Sequence, residues 1–225
     1  MTKIYTQTGD GGQTSLLTGE RIAKDDLRVD AYGTVDEASA TIGLARSHFQ
    51  ESGVKSALER VLAELILLNA DLAEKVQSPK RITSKHTEAL ESEIDGWTFE
   101  YSWLEGGFIL QGQWTPSAFL DLARTQIRRA ERKVVHLQRN EPVPDTVRIY
   151  LNRLSDWLFS LARYTEQENQ IKQMVNQVMD QMENVKEDFL LEISRKAFAA
   201  ARQKANAIGV PMVMAFVDAN GNLVA

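Results

Sequence analysis

The sequence predicts an all-α protein, a helical bundle of four to five helices with a structured N-terminal loop and a short α/β fragment at the C-terminus. Two observations carry this prediction. Apolar residues recur three or four positions apart through most of residues 29–165, the spacing of helices that bury one face. No segment before residue 208 alternates apolar and polar residues as a half-buried strand would.

The predicted helices are separated from one another by residues that typically end a helix. They are expected over residues 29–49, 55–76, 80–95 and 117–139, with a further one starting at Thr146. Pro79 ends the second, and the glycines and tryptophans of residues 96–115 predict a loop. Pro116 lies where the start of a helix tolerates proline, and Pro142 and Pro144 break the chain before the last helix.

The C-terminal region has a different character. After a polar stretch, an amphipathic helix is expected over residues 189–207, then a buried-type strand over 210–217 and an Asn220-Gly221 hairpin signal. One helix and two strands cannot bury a core of their own. The predicted organisation is therefore a bundle domain over 1–170, a polar helical linker over 171–187 and a truncated second domain over 188–225.

Composition excludes several classes of protein. The 225 residues include no cysteine and three histidines, which excludes disulfides and thiolate metal sites and disfavours a histidine metal cage. The net charge of −5 argues against bulk binding to nucleic acid or to an anionic membrane. No apolar run reaches the roughly 18 residues that a membrane helix needs, and the N-terminus lacks a signal-peptide pattern. We expect a soluble cytoplasmic protein.

The N-terminal loop is the first candidate site. Glycines let neighbouring backbone N–H groups converge on an anion, and hydroxyl side chains add further donors. A polyphosphate fits such a loop, with Lys24 and Arg21 to neutralise its charge. The alternative is a flexible N-terminal loop. The residues concerned are Thr8, Gly9, Asp10, Gly11, Gly12, Gln13, Thr14 and Ser15.

A cationic row on the helix over 117–139 is the second candidate. Arg124, Arg128 and Arg132 follow at intervals of four, with Glu131 beside them. Like charges four residues apart destabilise a helix unless an anion compensates them, and arginine grips phosphate or carboxylate in a bidentate manner. The alternative is a solvated stripe of charges.

Polar residues of the other helices are ambiguous. Asn152 and Asp156 share one helix face, and Asp36 lies on the first helix. Each is either a plain solvent-facing residue or part of a site with the arginine row. The histidines (His48, His86 and His136) share no spacing and are interpreted as surface or interface residues.

Taken together, these segments resemble the PduO-type ATP:cob(I)alamin adenosyltransferases. The resemblance runs from about residue 3 to residue 165, with the motifs in the same order and spacing. It is carried by residues 8–15, residues 24–37, Ala123-Arg-Thr-Gln-Ile-Arg-Arg-Ala-Glu-Arg132 and Leu151-Asn-Arg-Leu-Ser-Asp-Trp-Leu-Phe159.

The resemblance implies transfer of the 5′-deoxyadenosyl group of ATP to the cobalt of reduced cobalamin, with release of tripolyphosphate. It also implies a homotrimer of up-and-down helical bundles with active sites at subunit interfaces. The loop at residues 8–15 and Lys24 would then wrap the triphosphate with Mg²⁺. Arg128 and Arg132 would contact the phosphates, Glu131 the nucleotide or its metal, and Asn152 the nucleotide.

On the corrinoid side, the resemblance implies that Arg124 pairs with Asp36 across the interface and that Asp156 also faces the corrinoid. Phe108 would displace the lower base of cobalamin, which makes the cobalt easier to reduce. No general base is then needed, because Co(I) is itself the nucleophile and the protein supplies positioning and charge stabilisation. A flavin-type reductase is a possible partner.

The sequence departs from the family pattern at two places. Gln111-Gly112-Gln113 replaces a Pro-Gly-Gly, which bears on the affinity for cobalamin, and Asp121 replaces a common histidine. Residues 193–225 resemble the start of a GlcG/HbpS-like domain, most of which is missing.

Two alternatives remain open: an ATP- and corrinoid-binding protein that delivers adenosylcobalamin without efficient catalysis, and a helical scaffold whose arginines serve only an interface.

Overall fold

The structure, a computed structural model, describes residue 5, residues 7–75, 81–100 and 109–208, and residue 215. Two short strands form an antiparallel hairpin in which Thr14 lies opposite Ile22. The elements in chain order are β1 (Gln13–Ser15), β2 (Arg21–Ala23), α1 (Leu27–His48), α2 (Ser52–Leu72), α3 (Ser84–Glu100), α4 (Thr115–Gln138) and α5 (Asp145–Ile208). The prediction of an all-α helical bundle is confirmed.

Contacts between the helices show an up-and-down arrangement. Contacts at both ends of α1 and α4 show that these two helices run antiparallel, and α5 runs antiparallel to α4. The pairs that fix these directions are Asp30–Lys133 and His48–Phe119 for α1 and α4, and Glu131–Asn152 and Asp121–Arg163 for α4 and α5. The start of α1, the end of α4 and the start of α5 therefore share one end of the bundle.

The apolar faces that the sequence predicts form one core. Burying one large apolar side chain such as leucine, isoleucine or phenylalanine stabilises the fold by about 1.5–3 kcal/mol. Fully buried members from all five helices include Ile42, Phe49, Leu58, Leu65, Leu68, Leu90, Leu120, Ile127, Leu154, Trp157 and Leu158. Helix α1 begins where the Asp26 carboxylate accepts a hydrogen bond from the backbone N–H of Arg28 at 2.8 Å.

Arg28 is fully buried and joins three parts of the bundle. Its guanidinium donates to the carbonyl oxygens of Leu72 and Glu74 at 2.5 and 3.1 Å, and to the Glu141 carboxylate at 2.7 Å. Leu72 is the last residue of α2 and Glu74 follows it closely, at a helix end where carbonyl groups lack helical partners. This buried charge therefore fixes the start of α1 against the end of α2 and the α4–α5 connection.

Three expectations about secondary structure are wrong in detail. Residues 13–15 and 21–23 are strands, although no strand was expected before residue 208. Helix α3 continues to Glu100, into the segment expected to be a loop from residue 96. Helix α5 continues unbroken from Asp145 to Ile208 through the polar helical linker, where the helix over 189–207 was expected to be a separate one.

The chain divides into two compact units, Met1–Gln167 and Glu168–Ala225, with the boundary inside α5. The first unit contains the hairpin, the helices α1 to α4 and the first part of α5. Apart from residue 215, the strand expected over 210–217 and the Asn220-Gly221 hairpin lie outside the described residues. None of the described helices is both long and apolar enough to cross a membrane.

Candidate active site

The glycine-rich loop folds as a hydrogen-bonded hairpin. The backbone N–H of Gly12 donates to the carbonyl of Gly9 at 3.2 Å, and that of Lys24 donates to the carbonyl of Gly12 at 2.9 Å. Gly12 has a φ of 77°, a left-handed conformation that favours glycine. The amide of Gly12 is therefore used within the loop, and an anion bound here would rely on the other amides, the hydroxyls and the nearby cations.

Two cationic side chains from β2 and the residue after it lie against this loop. The guanidinium of Arg21 donates to the carbonyl of Thr8 at 2.7 Å and to the Ser15 hydroxyl at 3.3 Å. The Lys24 ammonium lies only 3.2 Å from the position that a Cβ on Gly9 would occupy. The absence of a side chain at Gly9 thus leaves room for the lysine to cover the loop.

The loop also contacts the first helix. Thr14 forms a side-chain hydrogen bond with Tyr32 of α1. Burial raises the pKa of Tyr32 above its ordinary value, and the bond to Thr14 partly opposes that rise. This contact anchors the hairpin to the bundle.

The first part of the arginine row faces a cleft of about 280 Å³ between α3, α4 and α5. Arg128 is exposed, and among the described residues no hydrogen bond or ion pair holds it. Arg124 is half-buried, with its Nε atom 3.6 Å from an oxygen of Asp121. The cleft is lined by Ile94, Thr98, Arg124, Arg128, Ser155, Asp156, Phe159 and Ser160.

The second part of the row faces a separate hollow of about 350 Å³ near the end of α4. Its lining residues are Glu131, Arg132, Val135, His136 and Arg139. The side-chain amide of Asn152 on α5 donates to the Glu131 carboxylate at 3.1 Å. Arg132 is exposed and makes no ion pair within the described ranges. The expected neighbours Glu131 and Asn152 are thus brought together.

Besides Asp121 next to Arg124, the acidic residues that form ion pairs here compensate the flank of the row. Arg129 pairs with Glu37, and Lys133 pairs with Asp30 at 2.6 Å. Asp36 is exposed on α1 and has no ion pair in the part of the chain described. The structure therefore does not bring Arg124 and Asp36 together within one chain.

The remaining corrinoid-side residues are placed unequally. Asp156 lines the cleft with Arg128 and pairs with Arg153 at 3.0 Å. Phe108 lies outside the described residues. In the segment Gln111-Gly112-Gln113, which replaces the family's Pro-Gly-Gly, Gly112 has a φ of 87°. This left-handed backbone conformation favours glycine at that position.

Sequence reasoning missed a buried charged cluster beside Arg124. Asp121 and Arg163 pair at 2.6 Å with side chains 4% and 3% exposed. Glu166 adds a second carboxylate at 3.3 Å from Arg163 and accepts a hydrogen bond from the Ser117 hydroxyl at 2.6 Å. The only signal in the sequence was the acidic residue at position 121, and its partner lies 42 residues away. The cluster supports the helix surface that carries Arg124.

No group of three or more His, Asp or Glu side chains among the described residues is arranged to hold a metal ion. Within the site, Glu131 is the carboxylate closest to the unpaired arginines in sequence. Magnesium typically uses one or two protein carboxylates and completes its coordination with substrate phosphates and water. A Mg²⁺ brought by a nucleotide fits this donor set, whereas a metal bound by protein side chains alone does not.

The fold and the side chains together define a helical bundle with two clefts whose linings include arginines. Residues 4–165 match the family model described as cobalamin adenosyltransferase. This match covers well over half of the sequence, and the chain belongs to the cobalamin adenosyltransferase family.

Individual relatives agree with the family match. The chain is 34% identical over 232 residues to the corrinoid adenosyltransferase PduO of Salmonella typhimurium, an alignment that covers 97% of this chain and 69% of the relative. It is 41% identical over 169 residues to the corrinoid adenosyltransferase of Bacillus subtilis, covering 72% of this chain and 85% of the relative. Both relatives are thus named as corrinoid adenosyltransferases.

Solved structures show the same fold. A variant of the PduO-type ATP:corrinoid adenosyltransferase from Lactobacillus reuteri, complexed with cobalamin and ATP, matches with a TM-score of 0.71 and 35% identity. That match covers 75% of this chain and 96% of the other. A second variant of the same enzyme, complexed with ATP, matches with a TM-score of 0.70 and 36% identity, over 74% of this chain and 96% of the other.

Proposed function

We propose that this protein transfers the 5′-deoxyadenosyl group of ATP to the cobalt of cob(I)alamin and releases tripolyphosphate. The observation that carries the proposal is the row on α4, where Arg128 and Arg132 are exposed and make no ion pair within the described residues. An uncompensated cationic row is costly for a helix and suits a polyphosphate. Membership in the cobalamin adenosyltransferase family supplies the reaction.

The residues divide into a phosphate side and a corrinoid side. The loop at residues 8–15, Lys24, Arg128 and Arg132 bind the triphosphate. Glu131, oriented by Asn152, contacts the nucleotide or its Mg²⁺. Arg124, Asp36, Asp156 and Phe108 belong to the corrinoid side, where Phe108 displaces the lower base.

The protein's contribution to the chemistry is positioning and charge stabilisation. The electron pair of Co(I) forms the bond to C5′ while the C5′–O bond breaks and its pair leaves with tripolyphosphate. Arg128 and Arg132 stabilise the charge that develops on the leaving group, and no protein base is required.

Activity is tested by mixing the purified chain anaerobically with ATP, Mg²⁺ and chemically reduced cob(I)alamin and following the corrin absorbance. We expect the cob(I)alamin band to fall as the adenosylcobalamin spectrum grows. Omission of ATP is the control. No conversion under these conditions would contradict the proposal.

A second candidate function has one observation in its favour, the replacement of Pro-Gly-Gly by Gln111-Gly112-Gln113. In this reading the chain binds ATP and corrinoid and delivers adenosylcobalamin without efficient catalysis. ATP binding measured by thermal stabilisation, together with no turnover, would favour delivery. A ligand at 100 times its dissociation constant adds about 2.7 kcal/mol of stability. If ATP produces neither turnover nor thermal stabilisation, the interpretation as a helical scaffold is the one that stands.

The assembly we propose is a cytoplasmic homotrimer with the site completed between copies. It is supported by the geometry of Asp36 and Arg124, since Asp36 has no ion pair within the described chain and Arg124 is near Asp121 alone. A flavin-type reductase would supply the electron that produces cob(I)alamin.

Subunit mixing tests the shared site. Asp36→Ala and Arg124→Ala are each expected to lose most turnover, because each removes one partner of the pair. After subunit exchange, an equal mixture contains interfaces in which both residues are intact, about a quarter of the total by random pairing. Turnover should recover to about that fraction. Additive residual rates without recovery would place both residues in one chain's site.

A further inference from the structure

The part of α5 beyond Gln167 carries a row of exposed apolar side chains. The exposed fraction is 46% for Ile171 and 63% for Met174, with Val175 and Val178 at 54% and 53%. Contiguous apolar surface of this kind on a helix marks an interaction site.

The spacing of the row is that of a coiled coil. The spacings alternate between 4 and 3 residues, so each position recurs after seven residues, a period of 3.5 per apolar position, and polar residues such as Gln173 and Asp180 lie on the opposite side. A helix that packs on a globular surface uses a broader stripe with a period of 3.6. The exposed members of the row are Ile171, Val175, Val178 and Phe189, and in the sequence Met182 and Val185 continue the same spacing.

We propose that residues 171–189 of α5 form a parallel, in-register coiled coil with the same residues of other copies of this chain. A seam in which every position is apolar is complementary to itself. In heptad notation Val175, Met182 and Phe189 occupy the a positions, and the d positions are Ile171, Val178 and Val185.

The choice of residues favours more than two helices. All three d positions are β-branched, whereas parallel two-stranded coils prefer leucine there. Met174 and Met179 lie next to the row and are also exposed, which widens the apolar surface beyond what one neighbouring helix covers. The inference does not rest on the proposed function, since none of these residues belongs to the bundle.

The test uses the absence of cysteine from the chain. Val178→Cys places a single thiol at the seam of the full chain, and Asp180→Cys places one at the outer position f as a matched control. Val175→Cys repeats the test at an a position. After mild oxidation, disulfide-linked pairs of chains are resolved on a denaturing gel without reductant.

We expect Val178→Cys and Val175→Cys to cross-link at least tenfold more than Asp180→Cys, at a yield that does not change on dilution. Corrinoid turnover and helical circular dichroism of each variant check that the bundle is intact. Cross-linking is preferred to molecular mass as the measurement, because the bundle itself can hold copies together. No cross-link at either seam position, or equal yields at the seam and at Asp180→Cys, overturns the proposal. A different part of a longer chain or another protein would then cover the row.

Discussion

Arg128 and Tyr150 show how differently one polar side chain can act in this bundle. Arg128 is exposed in a cleft and no described residue neutralises it, so its charge is available to a ligand. Tyr150 is fully buried, and its hydroxyl donates to the Glu64 carboxylate at 2.6 Å. We therefore expect the first residue to matter for binding and the second for stability.

Replacing Arg128 by alanine is expected to weaken ATP binding or turnover at least tenfold. The change removes charge-assisted hydrogen bonds to phosphate, each worth roughly 1.5–3 kcal/mol. The kinetic constants for ATP measure the effect. Arg148→Ala, which removes an exposed arginine paired with Asp145 on α5, is the control and should leave them unchanged. Equal kinetics for both variants would remove Arg128 from the site.

Tyr150→Phe is expected to destabilise the fold by about 1.5–3 kcal/mol near neutral pH, because a buried hydrogen bond to a carboxylate is lost. The free energy of unfolding lost through this substitution should be smaller at alkaline pH. Burial, reinforced by the negative Glu64, raises the pKa of Tyr150 well above its ordinary value of 10.0. Above that ordinary value the unfolded chain ionises while the folded chain does not, so this contribution falls as pH rises.

Free energies of unfolding in urea, measured for both proteins at about pH 8 and about pH 11, check the sign. The difference between wild type and variant should fall by about 1.4 kcal/mol over the unit above the ordinary pKa. A difference that stays constant between the two pH values would contradict the assignment to Tyr150.

Among elements, the contact of α4 with α5 depends on a buried ion pair. Asp121→Asn is expected to cost about 3 kcal/mol of unfolding free energy, since the buried Arg163 loses its nearest carboxylate. The control is Glu59→Gln, which breaks an exposed pair with Arg46 and should cost less than about 1 kcal/mol. Equal costs for the two variants in urea unfolding would show that the cluster does not hold these helices together.

The helices were predictable from sequence and the hairpin was not. Proline at positions 79, 116, 142 and 144 and steady apolar spacing marked most helices to within a few residues. Strands of three residues are too short to show a period of two, so β1 and β2 left no pattern. The unbroken α5 was missed because its middle is polar, yet residues 145–208 contain no glycine or proline and are rich in glutamine, glutamate and lysine, which favour helix.

Prediction of the site was limited by long-range contacts. Glu131 and Asn152 were expected to act together, because each lies in a clear helical pattern. The Asn152 amide nitrogen is 3.1 Å from a carboxylate oxygen of Glu131. The pair of Asp121 with Arg163 was missed, since nothing in either local sequence indicates that the two helices meet there. The roles assigned to Phe108 and to the glycine-rich loop remain predictions.

At the scale of the whole molecule, the first unit coincides closely with the segment that matches the family, residues 4–165. A chain that ends after Gln167 is therefore expected to fold and to retain turnover of cob(I)alamin within about twofold, because the candidate residues all precede the cut. Steady-state kinetics of both chains measure this. Loss of turnover in a truncated chain whose helical circular dichroism is intact would assign the second unit a role in catalysis.

Arg28 has a consequence for the order in which the bundle assembles. Its acceptors lie 44, 46 and 113 positions further along the chain, so its last bond forms only after four helices have taken their places. Contacts that close such long loops are made late in folding and add little to the rate of collapse. We expect these contacts instead to slow the unfolding of the completed bundle at the end where α1 begins.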